Sequence, residues 1–331
     1  MERIFTRKWQ ILIAMALGTS MVPINASIVN VSLPSITEFF HASVATSQWV
    51  LTAYLIMLLS LVLFFGRLGD FYGQEKLYMY GLVGFMSSSI LCSLAPSIYL
   101  LIFFRASQGI AAAMMISVSI GIVRKAFPVE KLGRALGIYS MAIAAGLALG
   151  PALGGFLESM GSWENVFLVN IPLGIISIVL CYFILEKKDG KTVKWDIKGT
   201  ILQFITLFTL VYGLNQIQTD GFTIFTGLPL VFAAFTFILF IKSEKQVENP
   251  LLNLYLFKSA KFTAYNLALF LNYLSMYMVL FIMPFYLQKV LHFSPEYVGL
   301  ILTASPIVMM LIAPLTGYLS DKIGSRYLAF T

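Results

Sequence analysis

The chain has 331 residues, of which 59% are hydrophobic and 11% are charged, with a mean hydropathy of +0.87 and a formal net charge of +7. A soluble domain carries about a quarter charged residues, because its surface must be hydrated. This composition therefore excludes an ordinary soluble protein, and most of the surface must face lipid.

Long apolar segments follow one another from the N-terminus to the C-terminus. Each approaches the roughly 20 residues that cross a bilayer as a helix, whereas a β-barrel would show short alternating segments. We predict an all-α integral membrane protein, a helical bundle with about ten transmembrane helices. The predicted spans are 9–32, 47–66, 77–95, 98–123, 134–157, 165–185, 197–216, 226–242, 262–287 and 296–319.

The basic residues indicate the orientation of these spans. With a cytoplasmic N-terminus, 20 of the 22 lysines and arginines lie on the cytoplasmic side, and only Lys289 (outside) and Arg105 (within a span) do not. This distribution obeys the positive-inside rule. We predict a multi-pass protein of the cell membrane whose positive charge faces anionic lipid headgroups, not nucleic acid. Cysteines and histidines are few and scattered, so no metal site or cofactor is expected, and the chain carries no enzyme motif.

One short motif occurs twice. Residues 66–73 and residues 317–324 both read G-x-L-x-D-x-x-G and close the second and tenth spans on the cytoplasmic side. Parallel repeats of this kind build the two halves of many transporters. We divide the chain into a six-helix half (1–185), a cytoplasmic linker (186–196), an inserted helix pair (197–242) and the start of a second half (243–331). Only two helices of that second half are complete, so we expect a fragment or a natural truncation.

The two copies of this motif are interpreted as gating turns, here called the first and second turn motifs. Glycines permit a tight turn and close helix approach, and the aspartate can cap the free N–H groups at a helix start. A solvated turn aspartate is the alternative for either copy. The residues concerned are Gly66, Asp70, Gly73, Gly317, Asp321 and Gly324.

A second motif lies inside the fourth span and contains Arg105, Gln108 and Gly109. An arginine at the centre of a spanning helix costs about 2.5–3.5 kcal/mol on insertion scales, so it should face a cavity or a partner. The alternative is that Arg105 extends its side chain to the outer interface, about eight residues away.

The fifth span carries glycines at every fourth position. Gly146, Gly150 and Gly154 form a smooth ridge on one helix face, followed by Gly155, and Pro151 removes a backbone hydrogen bond and favours a kink. Such a ridge lets a neighbouring helix pack closely. It is also suited to an interface between helices that move.

These motifs resemble the major facilitator superfamily, in particular its fourteen-helix drug–proton antiporters, which include multidrug and tetracycline exporters. The resemblance covers the whole chain. It implies about four more helices than the ten present, and the glycine ridge, which matches the antiporter motif, implies export. The matching residues are Gly66, Leu68, Asp70 and Gly73, then Arg105, Gln108 and Gly109, then Gly146, Gly150, Pro151, Gly154 and Gly155, and the stretch 25–34 in the first span.

The sequence therefore predicts a secondary active transporter, not an enzyme, that exports drugs or small amphipathic compounds by alternating access in exchange for protons. We expect it to be monomeric. Two alternatives are a truncated fragment that does not transport and a facilitator or anion transporter without proton coupling. No carboxylate lies in the middle of a span, which leaves the proton carrier unassigned. The candidate lining of the substrate cavity, besides Arg105 and Gln108, is Asn25, Asn30, Asn266, Asn272 and Tyr273.

Overall fold

The protein is described by a computed structural model over residues 2–159, 162–185, 196–247, 250–292 and 295–323. Residues 186–195 of the linker and Gly324 lie outside the described residues. Each of the ten predicted spans coincides with helix, so the all-α fold is confirmed. The helices are α1 Glu2–Val31, α2 Leu33–Phe39, α3 Val44–Tyr72, α4 Gln74–Ser93, α5 Ile98–Ala126, α6 Leu132–Ser159, α7 Asn165–Leu168, α8 Asn170–Ile184, α9 Ile197–Asp220, α10 Ile224–Glu244, α11 Ala260–Phe285 and α12 Pro295–Ile323.

The described residues contain seven helical segments that are long and apolar enough to cross a membrane. The other three predicted spans lie on α4, α11 and α12, which have 20, 26 and 29 residues. Polar residues begin several of the helices. Ser43 and Ser97 accept hydrogen bonds from backbone N–H groups in the first turns of α3 and α5, which satisfies donors that a helix start leaves unpaired.

The first six spans form one bundle. Helix α5 lies inside it and packs against α1, α3 and α4, while α1 also packs against α6 and α8. Small and apolar side chains fill the space between these helices, including Ala112, Met115, Tyr78 and Phe85, all with no exposed surface. Helix α1 is the most buried of the candidate spans, and it therefore forms part of the bundle core.

Helices α9 and α10 form an antiparallel pair beside this bundle. They turn at Gly221, which has a φ of 75°, and the hydroxyl of Thr206 donates to that of Thr236 across the pair. On its other side α9 packs against α3, where the amide nitrogen of Gln203 donates to the Ser60 carbonyl at 3.2 Å. The pair is thus attached to the bundle through α3.

The last two helices differ in how they are packed. Helix α12 packs along α6 of the first bundle, whereas α11 contacts α12 and the 3-10 segment Leu254–Lys258. Large apolar side chains on α11 are exposed, namely Tyr265, Leu267, Leu269, Phe270, Leu271, Tyr273, Leu274, Met278 and Val279.

The two non-glycine residues with positive φ in the described part of the chain occupy matching places in the repeat. His41 (φ 48°) follows the first span and His292 (φ 57°) follows the ninth. Their separation along the chain equals that between Gly66 and Gly317. A positive φ is uncommon outside glycine, so the shared conformation supports the interpretation of these turns as repeats.

Candidate functional site: a buried arginine cluster and two helix crossings

Arg105 lies in the second turn of α5 and its side chain has no exposed surface. Its Nε donates to the Val50 carbonyl on α3 at 3.0 Å. Its Nη1 donates to the Gln108 Oε1 at 2.6 Å and to the Asn25 Oδ1 on α1. The alternative in which Arg105 reaches the outer interface is therefore wrong in this structure, because the guanidinium points inward to partners on two other helices.

Aromatic and polar side chains complete this Arg105 cluster. The guanidinium carbon lies 4.2 Å from the centre of the Tyr54 ring and 5.9 Å from that of Phe167, within the range of cation–π attraction. Gln108 is also fully buried, and its amide nitrogen donates to the Ser89 hydroxyl on α4 at 2.7 Å. The cluster thus joins α1, α3, α4 and α5 inside the bundle, where water is scarce and each hydrogen bond counts for more.

Two donors in the cluster face no acceptor among the described residues. They are the Nη2 of Arg105 and the Nδ2 of Asn25, both buried. A buried donor without a partner costs about 1–3 kcal/mol. These groups are therefore available to a carbonyl, carboxylate or water oxygen that enters the bundle.

Gly109 explains how α5 comes close enough to α3 for these contacts. A Cβ atom at this position would collide with the Tyr54 carbonyl oxygen and lie 3.0 Å from the Met57 Cβ. Only glycine therefore fits at this position. Within the R-x-x-Q-G motif, the glycine allows the close helix crossing, and Arg105 and Gln108 supply the polar side chains.

The other candidate lining residues are not gathered at this cluster. Asn30 is exposed on α1, and Asn266, Asn272 and Tyr273 are exposed on α11. Asn266 donates to the Phe262 carbonyl one turn earlier in its own helix. Of the predicted lining, the structure brings together Asn25, Arg105 and Gln108, and a role for the four remaining residues stays a prediction.

The glycine ridge of α6 packs against α1. A Cβ at Gly146 would lie 3.0 Å from the Ser20 carbonyl, one at Gly150 would collide with the Ser27 hydroxyl, and one at Gly154 would lie 3.3 Å from the Ile28 carbonyl. Helix α6 continues through Pro151, which is exposed, and Gly155 faces open space. The ridge therefore lies against the same helix that carries Asn25.

The first turn motif forms the junction between α3 and α4. Gly73 has a φ of 98°, which favours glycine. Asp70 is exposed and its Oδ1 accepts from the Gln74 amide at 3.0 Å, while the residue that caps α4 is Gly73, with no side-chain hydrogen bond. A Cβ at Gly66 would meet nothing within 4 Å.

The second turn motif makes a different set of contacts. The carboxylate of Asp321 accepts from the backbone N–H groups of Gly133 and Arg134, at 2.7 and 2.8 Å. These residues lie in the first turn of α6, so Asp321 caps a helix of the first bundle. Gly317 packs directly on the Gly133 carbonyl and lies beside Gly137.

Sequence reasoning missed Gly133 and Gly137 as the partners of this motif. A Cβ at Gly137 would lie 2.5 Å from the Ala313 carbonyl and 3.2 Å from the Gly317 Cα. The signal was present, since glycines four residues apart form a close helix-packing motif. Tyr54 and Ser89 were also missed, because single tyrosines and serines are common in spanning helices and give no distinct pattern.

A family model described as Major Facilitator Superfamily matches residues 15–263 and 265–331. The chain therefore belongs to the Major Facilitator Superfamily, whose members are integral membrane transporters and not enzymes. The sequence-based family resemblance is confirmed at this level.

Similar proteins include three with curated names. The chain is 34% identical to the riboflavin transporter RibZ of Clostridioides difficile (strain 630), over 97% of this chain and 70% of that protein. It is 32% identical to the tetracenomycin C resistance and export protein of Streptomyces glaucescens (96% and 60%). It is 33% identical to the probable multidrug resistance protein EmrY of Escherichia coli (strain K12) (97% and 63%). The chain thus spans 60–70% of the length of these relatives.

Two solved structures share the fold. The proton:xylose symporter XylE has a TM-score of 0.64 at 14% identity, covering 96% of this chain and 70% of that one. The peptide transporter POT in complex with sulfate has a TM-score of 0.62 at 14% identity, covering 97% and 69%. At this identity the likeness shows the major facilitator fold alone.

Proposed function

We propose that this protein is a secondary active transporter of the cell membrane that exports small amphipathic organic compounds by alternating access, in exchange for protons. The observation that carries the proposal is the Arg105 cluster. A fully buried guanidinium held by two amide side chains inside a membrane bundle is expensive, and such a group is retained where a substrate or a moving partner uses it.

The unsatisfied donors support a substrate that carries a hydrogen-bond acceptor. Arg105 Nη2 and Asn25 Nδ2 are buried and face no acceptor among the described residues. Tyr54 and Phe167 place aromatic rings beside the same guanidinium. A compound with an oxygen acceptor and an apolar or aromatic body would satisfy the donors and contact the rings, which agrees with relatives named for tetracenomycin C and for riboflavin.

The contact between α1 and α6 supports the alternating-access part of the proposal. Helix α1 carries Asn25, and the glycine ridge of α6 packs on the adjacent turns of α1 through Gly146 and Gly150. The glycines contribute no side chains of their own, so fewer side chains interlock at this interface and the two helices can slide or rotate at lower cost. A shift of α1 along this ridge would move Asn25 relative to Arg105.

A second candidate function is facilitated or anion transport without proton coupling. Its support is the chemistry of the Arg105 partners: Asn25 and Gln108 are amides, and an amide does not bind and release protons near neutral pH. A positive charge with neutral partners suits an anionic substrate. Under the leading proposal, the proton is carried by a residue outside this cluster.

The central test is substitution of Arg105, with a matched control on the same helix. In cells that lack other efflux pumps, Arg105→Ala should abolish energy-dependent efflux of tetracycline, an aromatic compound with carbonyl oxygens, while immunoblots show unchanged membrane levels. Arg105→Lys should also fail, because one ammonium cannot hold the Val50, Gln108 and Asn25 contacts that the planar guanidinium makes. The control Arg124→Ala removes an exposed arginine at the cytoplasmic end of α5 and should transport normally.

Efflux by Arg105→Ala at the wild-type rate would contradict the proposal. A protonophore separates the two candidate functions, since proton exchange should collapse when the gradient is dissipated. Transport that continues in the presence of the protonophore would leave facilitated or anion transport as the function. Under proton exchange, Asn25→Asp should change the pH dependence of efflux without being required for activity.

A further inference from the structure

Two buried carboxyl groups meet at the cytoplasmic end of the α9–α10 pair. Asp196 is the residue that caps α9 and is 8% exposed, and Glu244 is the last residue of α10 and is 3% exposed. Both lie outside the predicted spans 197–216 and 226–242. We call Asp196 and Glu244 the carboxyl pair.

Each member of the carboxyl pair is held by one backbone hydrogen bond. The Oδ1 of Asp196 accepts from the Gly199 N–H at 2.7 Å, and the Oε2 of Glu244 accepts from the Leu252 N–H at 2.8 Å. These bonds fix both side chains in place. Asp196 is fixed to the start of α9, and Glu244 to the segment that follows α10.

The second oxygens of the two groups face each other. Asp196 Oδ2 and Glu244 Oε1 are buried and find no donor among the described residues. A Cβ at Gly199 would lie 2.3 Å from Asp196 Oδ2 and 2.4 Å from Glu244 Oε1, so the two oxygens converge on one point. Two ionised carboxylates in this arrangement would repel strongly, whereas one shared proton turns the repulsion into a hydrogen bond.

Among the described residues, the charged groups around the carboxyl pair do not neutralise a second negative charge. Arg67 of the first turn motif acts electrostatically on Glu244 from α3, and its Nη2 donates to the Pro250 carbonyl. The nearest lysines along the two helices, Lys198, Lys242 and Lys245, have exposed side chains. One arginine thus balances one negative charge, which is the charge of a pair that shares a proton.

We propose that the carboxyl pair is a proton-binding site, in which one proton bridges Asp196 Oδ2 and Glu244 Oε1. When pH rises, the O–H bond breaks, the proton goes to water and the pair passes from one negative charge to two. The repulsion separates the start of α9 from the end of α10, and it pulls on the Leu252 contact with Glu244 and on the Pro250 contact with Arg67. The proposal does not depend on transport, since it concerns proton binding by the chain itself.

The test is infrared difference spectroscopy of the purified full chain as the pH is raised. At about pH 7, solvated carboxyl groups, whose pKa values lie near about 4, have lost their protons. The wild type should nevertheless show the C=O stretch of one protonated carboxyl, shifted in D₂O and lost on further addition of base. The band should be absent in Glu244→Gln and present in the control Glu130→Gln, which removes an exposed carboxylate in the turn before α6.

Absence of a protonated carboxyl in the wild type at about pH 7 would overturn the proposal without any variant. A band that persists in both Glu244→Gln and Asp196→Asn would also overturn it. So would loss of the band on addition of Na⁺ at constant pH, since the site would then take a metal cation. Amide hydrogen exchange at Leu252 gives an independent readout. In the wild type, its rate should rise with pH by more than the rate of an unprotected amide does. In Glu244→Gln, this additional rise should be absent.

Discussion

The two turn motifs share the pattern G-x-L-x-D-x-x-G, yet they lie in different surroundings. In the second motif, Asp321 accepts two backbone N–H groups at the start of α6 and Gly317 packs on the Gly133 carbonyl. In the first motif, Asp70 accepts from a glutamine one turn away, and Gly66 faces open space.

This difference concerns which helix the aspartate of each motif contacts. A single copy read by itself suggests an aspartate that caps its own turn, and Asp70 does not do so, since α4 starts at Gly73 without a side-chain cap. Asp321 instead reaches a helix from another part of the chain, where its charge also meets the positive end of the helix dipole. In its second copy, the motif thus joins the end of α12 to the start of α6.

The largest expected effect comes from filling the helix crossing. Gly317→Leu places a side chain where the Gly133 carbonyl already lies. Overpacking of this kind costs about 1–3 kcal/mol, which corresponds to a roughly 5- to 150-fold rise in local opening. Hydrogen–deuterium exchange of the first two turns of α6, followed by mass spectrometry, measures this rise directly.

Gly66→Leu is the matched control for that substitution. A Cβ at Gly66 meets nothing within 4 Å, so the variant should leave exchange in α6 unchanged. Equal effects of the two substitutions on exchange in α6 would contradict the difference in packing between the two motifs that the structure shows.

Much of this architecture follows from the order of residues. Apolar segment length predicts the ten helices, and the cost of a charged group in lipid predicts that Arg105 has partners. The choice of partners does not follow, because Asn25 and Val50 reach Arg105 only when α1, α3 and α5 are packed together. Sequence spacing describes one helix at a time, and contacts between helices depend on their crossing.

The predicted lining on α11 illustrates the same limit. Asn266 and Tyr273 are polar positions on an apolar helix, in the span that repeats the first one, and this pattern favours a lining role. The structure places them on exposed faces of α11, away from the cluster on α5. The polar character of a residue could be read from the sequence, while its neighbours could not.

A smaller effect is expected from removing the cap. Asp321→Ala leaves the Gly133 and Arg134 N–H groups without their acceptor, which costs about 0.5–2 kcal/mol, or a roughly 2- to 30-fold rise in exchange at the start of α6. Asp70→Ala removes one exposed side-chain contact between residues four apart, worth about 0.2–0.5 kcal/mol. The prediction fails if Asp70→Ala accelerates exchange in α6 as much as Asp321→Ala does.

The smallest expected effect separates the charge of Asp321 from its hydrogen bonds. Asp321→Asn keeps one oxygen acceptor, so it can keep one of the two backbone hydrogen bonds, but it removes the other one together with the negative charge at the start of α6. The loss should therefore lie below that of Asp321→Ala, and only its charge-dependent part, the dipole interaction of about 0.3–1 kcal/mol, is screened by salt. Exchange at the start of α6 should accelerate with salt in the wild type and approach the rate of Asp321→Asn, whose own rate should not depend on salt. If exchange in Asp321→Asn is as fast as in Asp321→Ala, both hydrogen bonds are needed and the charge is secondary. If Asp70→Asn changes exchange in α6 at all, the first motif also contacts that helix, and the two copies do not differ in their contacts with α6.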